Sequence, residues 1–323
     1  MYSQHSIGVV IPAYNEEGLI EDTLTSIPSY VDKVYVVDDA STDGTAQKIL
    51  SMNGAGRFVY LHHEENRGVG AAIATGYKKA LQDGVDVVAV MAGDNQMDPR
   101  YLPHLLDPIV WKKADYTKGN RLVHTTLRKG MPAWRAFGNS LLTYLTKMSC
   151  GYYDMIDPQN GYTAISRQTL SRLDLDDIYP RYGYLNDMLA KMNVLGANIM
   201  DVIIPARYGK EKSKIRYGFY IMKVSWLLLK TFIWRLWMKY FVLNFHPLII
   251  FYITGFFLAL TGMISMVYAV WQKLVVPGSE FFIHGILSLM LFMIGMQFVL
   301  FGILFDIQNR QQTSAYHIIQ RMK

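Results

Sequence analysis

The sequence predicts an α/β domain with a mainly parallel sheet, followed by helices that attach it to a membrane. Three observations carry that reading. From residue 6 onward, short apolar runs alternate with helix-like stretches. A polar cluster stands just after each apolar run. The last third of the chain then holds both the longest uncharged segments and the positive charge. Residues 211–323 contain 11 Lys/Arg and 3 Asp/Glu, a balance of +8 in a chain whose total is +6. At 323 residues and 51% hydrophobic, the chain is neither disordered nor fibrous. A simple soluble nucleic-acid binder is excluded too. The cations sit beside the most apolar segments, where a lipid surface is the better partner.

Residues 7–11 read as the first strand, 16–27 as helical, and 33–37 as the second strand, ending at Asp38-Asp39. Ser41 has the chemistry of an N-cap for a helix reaching residue 50. Residues 58–61 form the third strand, 69–81 a helix and 85–91 the fourth strand. Strands alternating with helices give βα units, hence a mainly parallel sheet covered on both faces. Such sheets bind ligands beyond the carboxyl ends of their strands. The polar clusters fall there: Pro12-Ala13-Tyr14-Asn15-Glu16, Asp38-Asp39, Asn66-Arg67-Gly68 and Asp94-Asn95-Gln96.

A dinucleotide fingerprint is missing. The first turn is IPAYNEE, and Gly68-Val69-Gly70 is followed by Ile73 where a third glycine belongs. No Walker A string occurs either. Phosphates must be handled another way, and a carboxylate-held metal is the natural means. The one cysteine, Cys150, excludes an intrachain disulfide and a cysteine-based zinc site. The first ten residues, MYSQHSIGVV, lack the cationic and apolar regions of a signal peptide.

Residues 241–272 and 281–305 contain no Asp, Glu, Lys or Arg. Each run exceeds the ~20 residues that carry a helix across a ~30 Å hydrocarbon core. KLVVPGSE (273–280) joins them, so a transmembrane hairpin is expected, about 245–271 and 281–305. Arg235 and Lys239 precede it, Arg310, Arg321 and Lys323 follow it, and Lys273 alone lies in the connection. The positive-inside rule puts residues 1–214 and the tail, 306–323, in the cytoplasm of a multi-pass membrane protein. Residues 215–244 interleave Trp226, Trp234 and Trp237 with Arg216, Lys223, Lys230, Arg235 and Lys239. Cations at that spacing break a third span. They suit amphipathic helices in the headgroup layer, with lysines snorkelling outward. The hairpin also offers a surface for a homo-oligomer, though no pattern marks a seam.

VVIPAYNEE, VVDDASTDGT, HEENRGVGAA and VAVMAGDNQMDP, in this order and spacing, resemble family-2 glycosyltransferases over about residues 6–215. DPQNGYTAISR (157–167), RYGKEKSK (207–214) and the terminal hairpin are similar to the polyprenyl-phosphate hexose synthases of that family. These include dolichyl-phosphate mannose synthases and undecaprenyl-phosphate glucose transferases. The resemblance implies a GT-A fold, a Rossmann-like, mainly parallel sheet. It implies that Pro12, Tyr14, Glu16 and Asp38 or Asp39 hold the base and ribose of a nucleotide sugar. Helix capping by Asp39-Ala40-Ser41 is compatible with that role. Asn66, Arg67 and Gly68 would close over the nucleotide, with Gly68 and Gly70 permitting close backbone approach.

Asp94 matches the second carboxylate of the family's D-x-D motif, implying Mg²⁺ or Mn²⁺ on the donor diphosphate, with Gln96 beside it. Ala92 replaces the first carboxylate, so one protein carboxylate and phosphate oxygens would hold the ion. Asp98, before Pro99, is placed to cap the next helix. On the acceptor side the resemblance implies that Arg121 and Arg135 clamp a lipid phosphate, which a planar guanidinium binds through two oxygens. Arg207, Ser213 and Lys214 belong to the same phosphate-binding set, and Arg128 and Lys129 to a lipid-contacting loop. Asp157, Gln159 and Gly161 match a D-x-Q-x-G string that frames sugar and acceptor. Asp187 stands where inverting relatives place a general base. A phosphate acceptor, with a second pKa of ~6, needs little deprotonation, so Asp187 has a positioning role open to it.

The expected function is transfer of a hexose from a UDP- or GDP-linked donor to dolichyl or undecaprenyl phosphate, with inversion. Two alternatives stand beside it. One is extension of a lipid-linked saccharide or polysaccharide, although no Q-x-x-R-W string occurs. The other is a non-catalytic nucleotide-binding scaffold, favoured by Ala92 and by Leu185, which stands two positions before Asp187 where the family often has an acidic residue.

Overall fold

The structure is a computed structural model that describes residues 1–52, 56–122, 133–205, 217–276 and 281–322. Two compact units divide the chain, one of Met1–Phe232 with His317–Lys323 and one of Ile233–Tyr316.

In the first unit β1 (Ile7–Ala13), α1 (Ile20–Ser26), β2 (Lys33–Asp38), α2 (Thr45–Ser51) and β3 (Phe58–His62) follow one another. Then come α3 (Val69–Gln82), β4 (Val87–Val90), a 3₁₀ turn (Pro99–Tyr101) and α4 (Leu102–Val110). β5 (Tyr116–Asn120), α5 (Ala133–Cys150), β6 (Thr163–Ser166), α6 (Arg167–Leu170), α7 (Tyr184–Val194) and β7 (Ile199–Ile203) complete the sheet region. The seven strands lie in the order β3-β2-β1-β4-β6-β5-β7. β1 pairs parallel with both β2 and β4, and β2 with β3. β6 runs antiparallel between β4 and β5, and β5 pairs parallel with β7. This mixed, mostly parallel sheet is GT-A-like, as the sequence implies.

Strand pleating sends alternate side chains to opposite faces. Ile7, Val9 and Ile11 meet α1 and α4 in one core, whereas Val10 joins α3 and α7 residues such as Ala72 and Leu189 in the other. Both faces are therefore apolar. α3 lies close against β1 at Gly76, where an added Cβ would run into the Val10 side chain.

The carboxyl edge carries the irregular backbone. Asn15, Ala40 and Asn95 have positive φ (56°, 60° and 58°), and each follows a strand end. Asparagine tolerates that conformation; alanine there is strained, and such strain concentrates at functional sites. The turn at Ala40 also corrects the expected cap at Ser41. The chain leaves β2 sideways, and α2 starts only at Thr45 with Gly44 at its cap position. The Ser41 hydroxyl instead accepts the Asn15 N–H at 3.0 Å, tying the first turn to the second. Asp98 does cap the following 3₁₀ turn, accepting the Arg100 N–H at 3.0 Å.

α8 (Tyr217–Trp237) passes into a π-helical turn, Met238–Leu243. Val224, Leu228 and Thr231 are buried, while Trp226, Leu229, Ile233 and Trp237 form an exposed apolar stripe at helical spacing. In the second unit α9 (Leu248–Val275) is followed by α10 (Phe281–Met322). Leu248–Val275 and Phe282–Asn309, whose most apolar 18-residue stretches have mean hydropathies of 2.1 and 2.3, are long and apolar enough to cross a membrane. They pack antiparallel and close. A Cβ on Gly255 would lie 2.8 Å from Gly295 O, and one on Gly262 2.8 Å from Ser288 O. Small residues let helices approach where no hydrophobic drive exists between them. The apolar segments end a few residues later than expected, and α10 continues through most of the residues read as a tail.

Arg235 differs from its expected place among the outward-facing cations. It is fully buried, with Nη1 and Nη2 donating to the two Asp306 oxygens at 3.1 and 2.8 Å. The buried Tyr240 hydroxyl donates to the same carboxylate. A buried charge persists only when paired and hydrogen-bonded.

Candidate active site

The site is assembled at the carboxyl edge of β1, β2, β3 and β4, within the first unit. Beyond β1, Asn15 Oδ1 accepts the Thr42 N–H at 2.8 Å and the Glu16 N–H donates to Thr45 Oγ1 at 2.9 Å. The first turn is thereby held against the segment after β2.

The two aspartates closing β2 separate in role. Asp38 is fully buried and accepts from Ser41 N–H at 3.0 Å and the Tyr60 hydroxyl at 3.1 Å, with His62 Nδ1 at 3.3 Å. It braces the turn. Asp39 clamps the segment after β3. Its carboxylate takes the N–H groups of Arg67 and Gly68 at 3.0 and 2.7 Å and meets His63 Nδ1 at 2.7 Å. Asn66 Nδ2 donates to Asp39 O at 3.3 Å. Gly68, at φ +99°, lets the chain turn directly into α3.

These elements enclose a cavity of about 410 Å³. Pro12, Tyr14, Glu16 and Asp39 line one side, Asn66 and Gly68 another, and Ala92, Gly93 and Asp94 the end beyond β4. Most of the expected donor residues are thus brought together. Arg67 takes part through its backbone N–H to Asp39. Arg181 and Tyr182, which sequence reading did not single out, complete the lining.

A second cavity, of about 70 Å³, adjoins through Asp94. Gln96, Asp98, Arg121, Asn160 and Gly161 line it. Asp157, buried beneath, accepts Arg121 Nε at 3.0 Å and Arg121 N–H at 3.3 Å, which fixes the guanidinium plane. Gln159 lines neither cavity. Its Nε2 donates to Thr146 Oγ1 at 3.2 Å and Asn186 Oδ1 at 3.1 Å, joining α5 to α7. Asp187, in the first turn of α7, also lies outside both linings. Arg207, Ser213, Lys214, Arg128 and Lys129 fall outside the described residues, as does the side chain of Arg135. Arg121 therefore represents the expected acceptor set among the described side chains.

Lys118 was not legible in the sequence. It is fully buried on β5 and donates through Nζ to Asn160 O, behind the smaller cavity. Burial lowers its pKa to about 8, with Asp157 and Asp201 opposing the shift. Burial likewise raises the carboxyl of Asp94, against the Gln96 N–H, which donates to Asp94 Oδ1 at 3.0 Å.

Among the described residues no three His, Cys, Asp or Glu side chains form a ready metal cage. The residues still fit a hard cation. Asp94 stands where the two cavities meet, and Mg²⁺ commonly takes one or two carboxylates, phosphate oxygens and waters. Gln96 lines the smaller cavity beside it.

A GT-A-like sheet with a carboxylate-bearing cavity at its carboxyl edge is the architecture of a glycosyltransferase. The chain belongs to glycosyl transferase family 2, whose model matches residues 8–173. It is 31% identical over 218 residues to the UDP-N-acetylglucosamine–dolichyl-phosphate N-acetylglucosaminyltransferase of Methanococcus voltae, covering 62% of this chain and 86% of that protein. It is 32% identical over 199 residues to the undecaprenyl-phosphate mannosyltransferase of Micrococcus luteus, covering 60% and 81%. Among solved structures, glucosyl-3-phosphoglycerate synthase from Mycobacterium tuberculosis, in complex with Mn²⁺, UDP and glucosyl-3-phosphoglycerate, shares the fold. Its TM-score is 0.53 at 22% identity, over 72% of this chain and 80% of that one. The protein is a glycosyltransferase.

Proposed function

We propose that this enzyme transfers a hexose from a UDP- or GDP-linked donor to a membrane polyprenyl phosphate, with inversion at the anomeric carbon. The observation that carries the reading is the junction of the two cavities at Asp94. One side offers Tyr14, Glu16 and Asp39 to a nucleoside, and the other offers an oriented arginine to a phosphate. The names of the Methanococcus and Micrococcus relatives support a polyprenyl-phosphate acceptor.

In this mechanism Arg121 holds the acceptor phosphate while the wall from Pro12 to Asp39 fixes the nucleoside. A phosphate oxygen forms the new bond to the anomeric carbon. The bond to the nucleoside diphosphate breaks on the opposite face, and its electron pair leaves with the diphosphate. Single displacement inverts the centre. Asp94, with Gln96 near it, would hold Mg²⁺ or Mn²⁺, which would supply charge neutralisation for the departing diphosphate. The rest is positioning of two reactants.

On the same reading residues 1–214 and the C-terminus face the cytoplasm, and α9 and α10 cross the bilayer. Residues 215–244 lie in the headgroup layer, with the Trp226–Trp237 stripe of α8 toward the lipid. Incubating the purified protein with a panel of nucleotide sugars, Mg²⁺ or Mn²⁺, and polyprenyl phosphate should give a charged, organic-soluble glycolipid. No glycolipid from any donor would end the proposal.

A further inference from the structure

The segment 179–183 reaches the donor cavity from outside the four strand ends, and it is held there by an unusual set of contacts. Asp187 Oδ2 accepts the Tyr179 N–H at 2.9 Å and Lys191 Nζ at 2.8 Å. Lys191, nearly buried, also donates to Asp177 O and pairs with the Asp177 carboxylate at 3.0 Å. One end of the segment is thereby locked to the first turn of α7. Its middle is locked to α3, because Pro180 O accepts the Ala71 N–H at 3.0 Å.

Gly68 at the cap of α3 and Gly70 in its first turn make room for this docking. A Cβ on Gly68 would lie 2.6 Å from Pro180 O and 2.8 Å from Arg181 Cγ, and one on Gly70 would meet Tyr179 O. The sequence reading gave these glycines to a nucleotide's close approach. In the structure they admit a protein segment. What that segment presents to the cavity is Arg181 and Tyr182, the latter 70% exposed, facing a space shared with Tyr14 and Asp94.

We infer that Asp187 is a positioning residue that latches this segment, and that Arg181 and Tyr182 select and hold the donor nucleotide. The inference rests on reading the larger cavity as the nucleotide-sugar site. A planar guanidinium suits diphosphate oxygens, and an exposed ring suits a base face. Proton abstraction is not needed from Asp187, because a phosphate acceptor is largely a dianion near neutral pH. Its Oδ2 is already engaged by two donors, and it lies outside the cavity lining.

The test uses the full-length protein in detergent, with UDP and GDP binding measured by calorimetry and donor kinetics measured separately. Asp187→Asn keeps an oxygen for the Tyr179 N–H and loses the charge facing Lys191, whereas Asp187→Ala loses both. Expected results are nucleotide affinity and donor KM each worsened about tenfold in D187A and R181A, with kcat of D187A at saturating donor within a few-fold of wild type. D187N should fall between wild type and D187A, and D187A/R181A should be little worse than the poorer single variant. Y182A should change the UDP-to-GDP preference. Thermal melts accompany each variant, and R181A, exposed and outside the latch, reads the wall independently even where D187A melts early.

Equal, hundredfold losses of kcat in D187N and D187A with unchanged nucleotide affinity would make Asp187 a proton acceptor and overturn the latch. Unchanged affinity in R181A and unchanged preference in Y182A would overturn the selecting wall. Failure of the wild-type protein to bind either nucleotide would remove the donor-site reading itself, a different failure from the first two.

Discussion

At the scale of single residues, the proposed reaction divides its chemistry between Asp94 and Arg121. Asp94 is the carboxylate common to both cavities, and burial raises its pKa from the ordinary carboxylate value. Its ionised form, the one that binds a cation, is present above that raised pKa and is lost as pH falls through it. Mn²⁺-dependent UDP binding should therefore show an acid limb that Asp94→Asn abolishes. The same variant should lower kcat a hundredfold or more, because several kcal/mol of leaving-group stabilisation depends on the ion. A D94N protein with wild-type turnover would remove the metal from the mechanism. Arg121 is oriented through Nε by Asp157, so its geometry matters as well as its charge. Arg121→Lys should raise the acceptor KM about tenfold, a loss of ~1.4 kcal/mol, and leave the donor KM unchanged. Equal effects on both substrates would deny it a specific acceptor role.

At the scale of elements, legibility followed burial. β1, β2 and β4 are apolar on both faces, and their sequence runs show it. β5 is as deeply buried but reads YTKGN, and its central Lys118 is accommodated by the Asn160 carbonyl. No hydropathy pattern reveals such a strand. The lining of the larger cavity from Pro12 to Asp94 was legible because its residues cluster in short motifs after strands. Arg181 and Tyr182 were not, because only the docking of their segment on Gly68 and Gly70 brings them to the cavity. Arg235 and Asp306 were missed for a similar reason, since 71 positions separate them and each alone looks like a charge flanking an apolar run. Their pairing ties the last turn of α8 to the far half of α10. Asp306→Ala removes the carboxylate that meets the buried Arg235 guanidinium and should destabilise this unit by about 3–5 kcal/mol, while the apolar pair Arg235→Met with Asp306→Leu should recover most of that. Thermal unfolding in detergent checks it. A double variant no better than D306A would mean that the pair is not what the unit loses.

At the scale of the whole molecule, the charge and hydropathy split suits a reaction whose two proposed substrates occupy different solvents. The larger cavity opens on a near-neutral domain, suited to a nucleotide sugar dissolved in water. The polyprenyl chain of the proposed acceptor cannot dissolve there, and its phosphate is confined to the headgroup layer, where the α8 stripe and the two apolar helices would hold the enzyme. Encounter with the donor then depends on bulk concentration, whereas encounter with the acceptor depends on its density in the surface. With enzyme reconstituted in vesicles, adding neutral phospholipid at fixed total polyprenyl phosphate should lower the rate at subsaturating acceptor roughly in proportion to the acceptor's mole fraction. The donor KM should stay constant through the dilution. A rate indifferent to surface dilution would mean that the acceptor reaches the site from water, and the membrane helices would then need a purpose other than bringing enzyme and lipid into one plane.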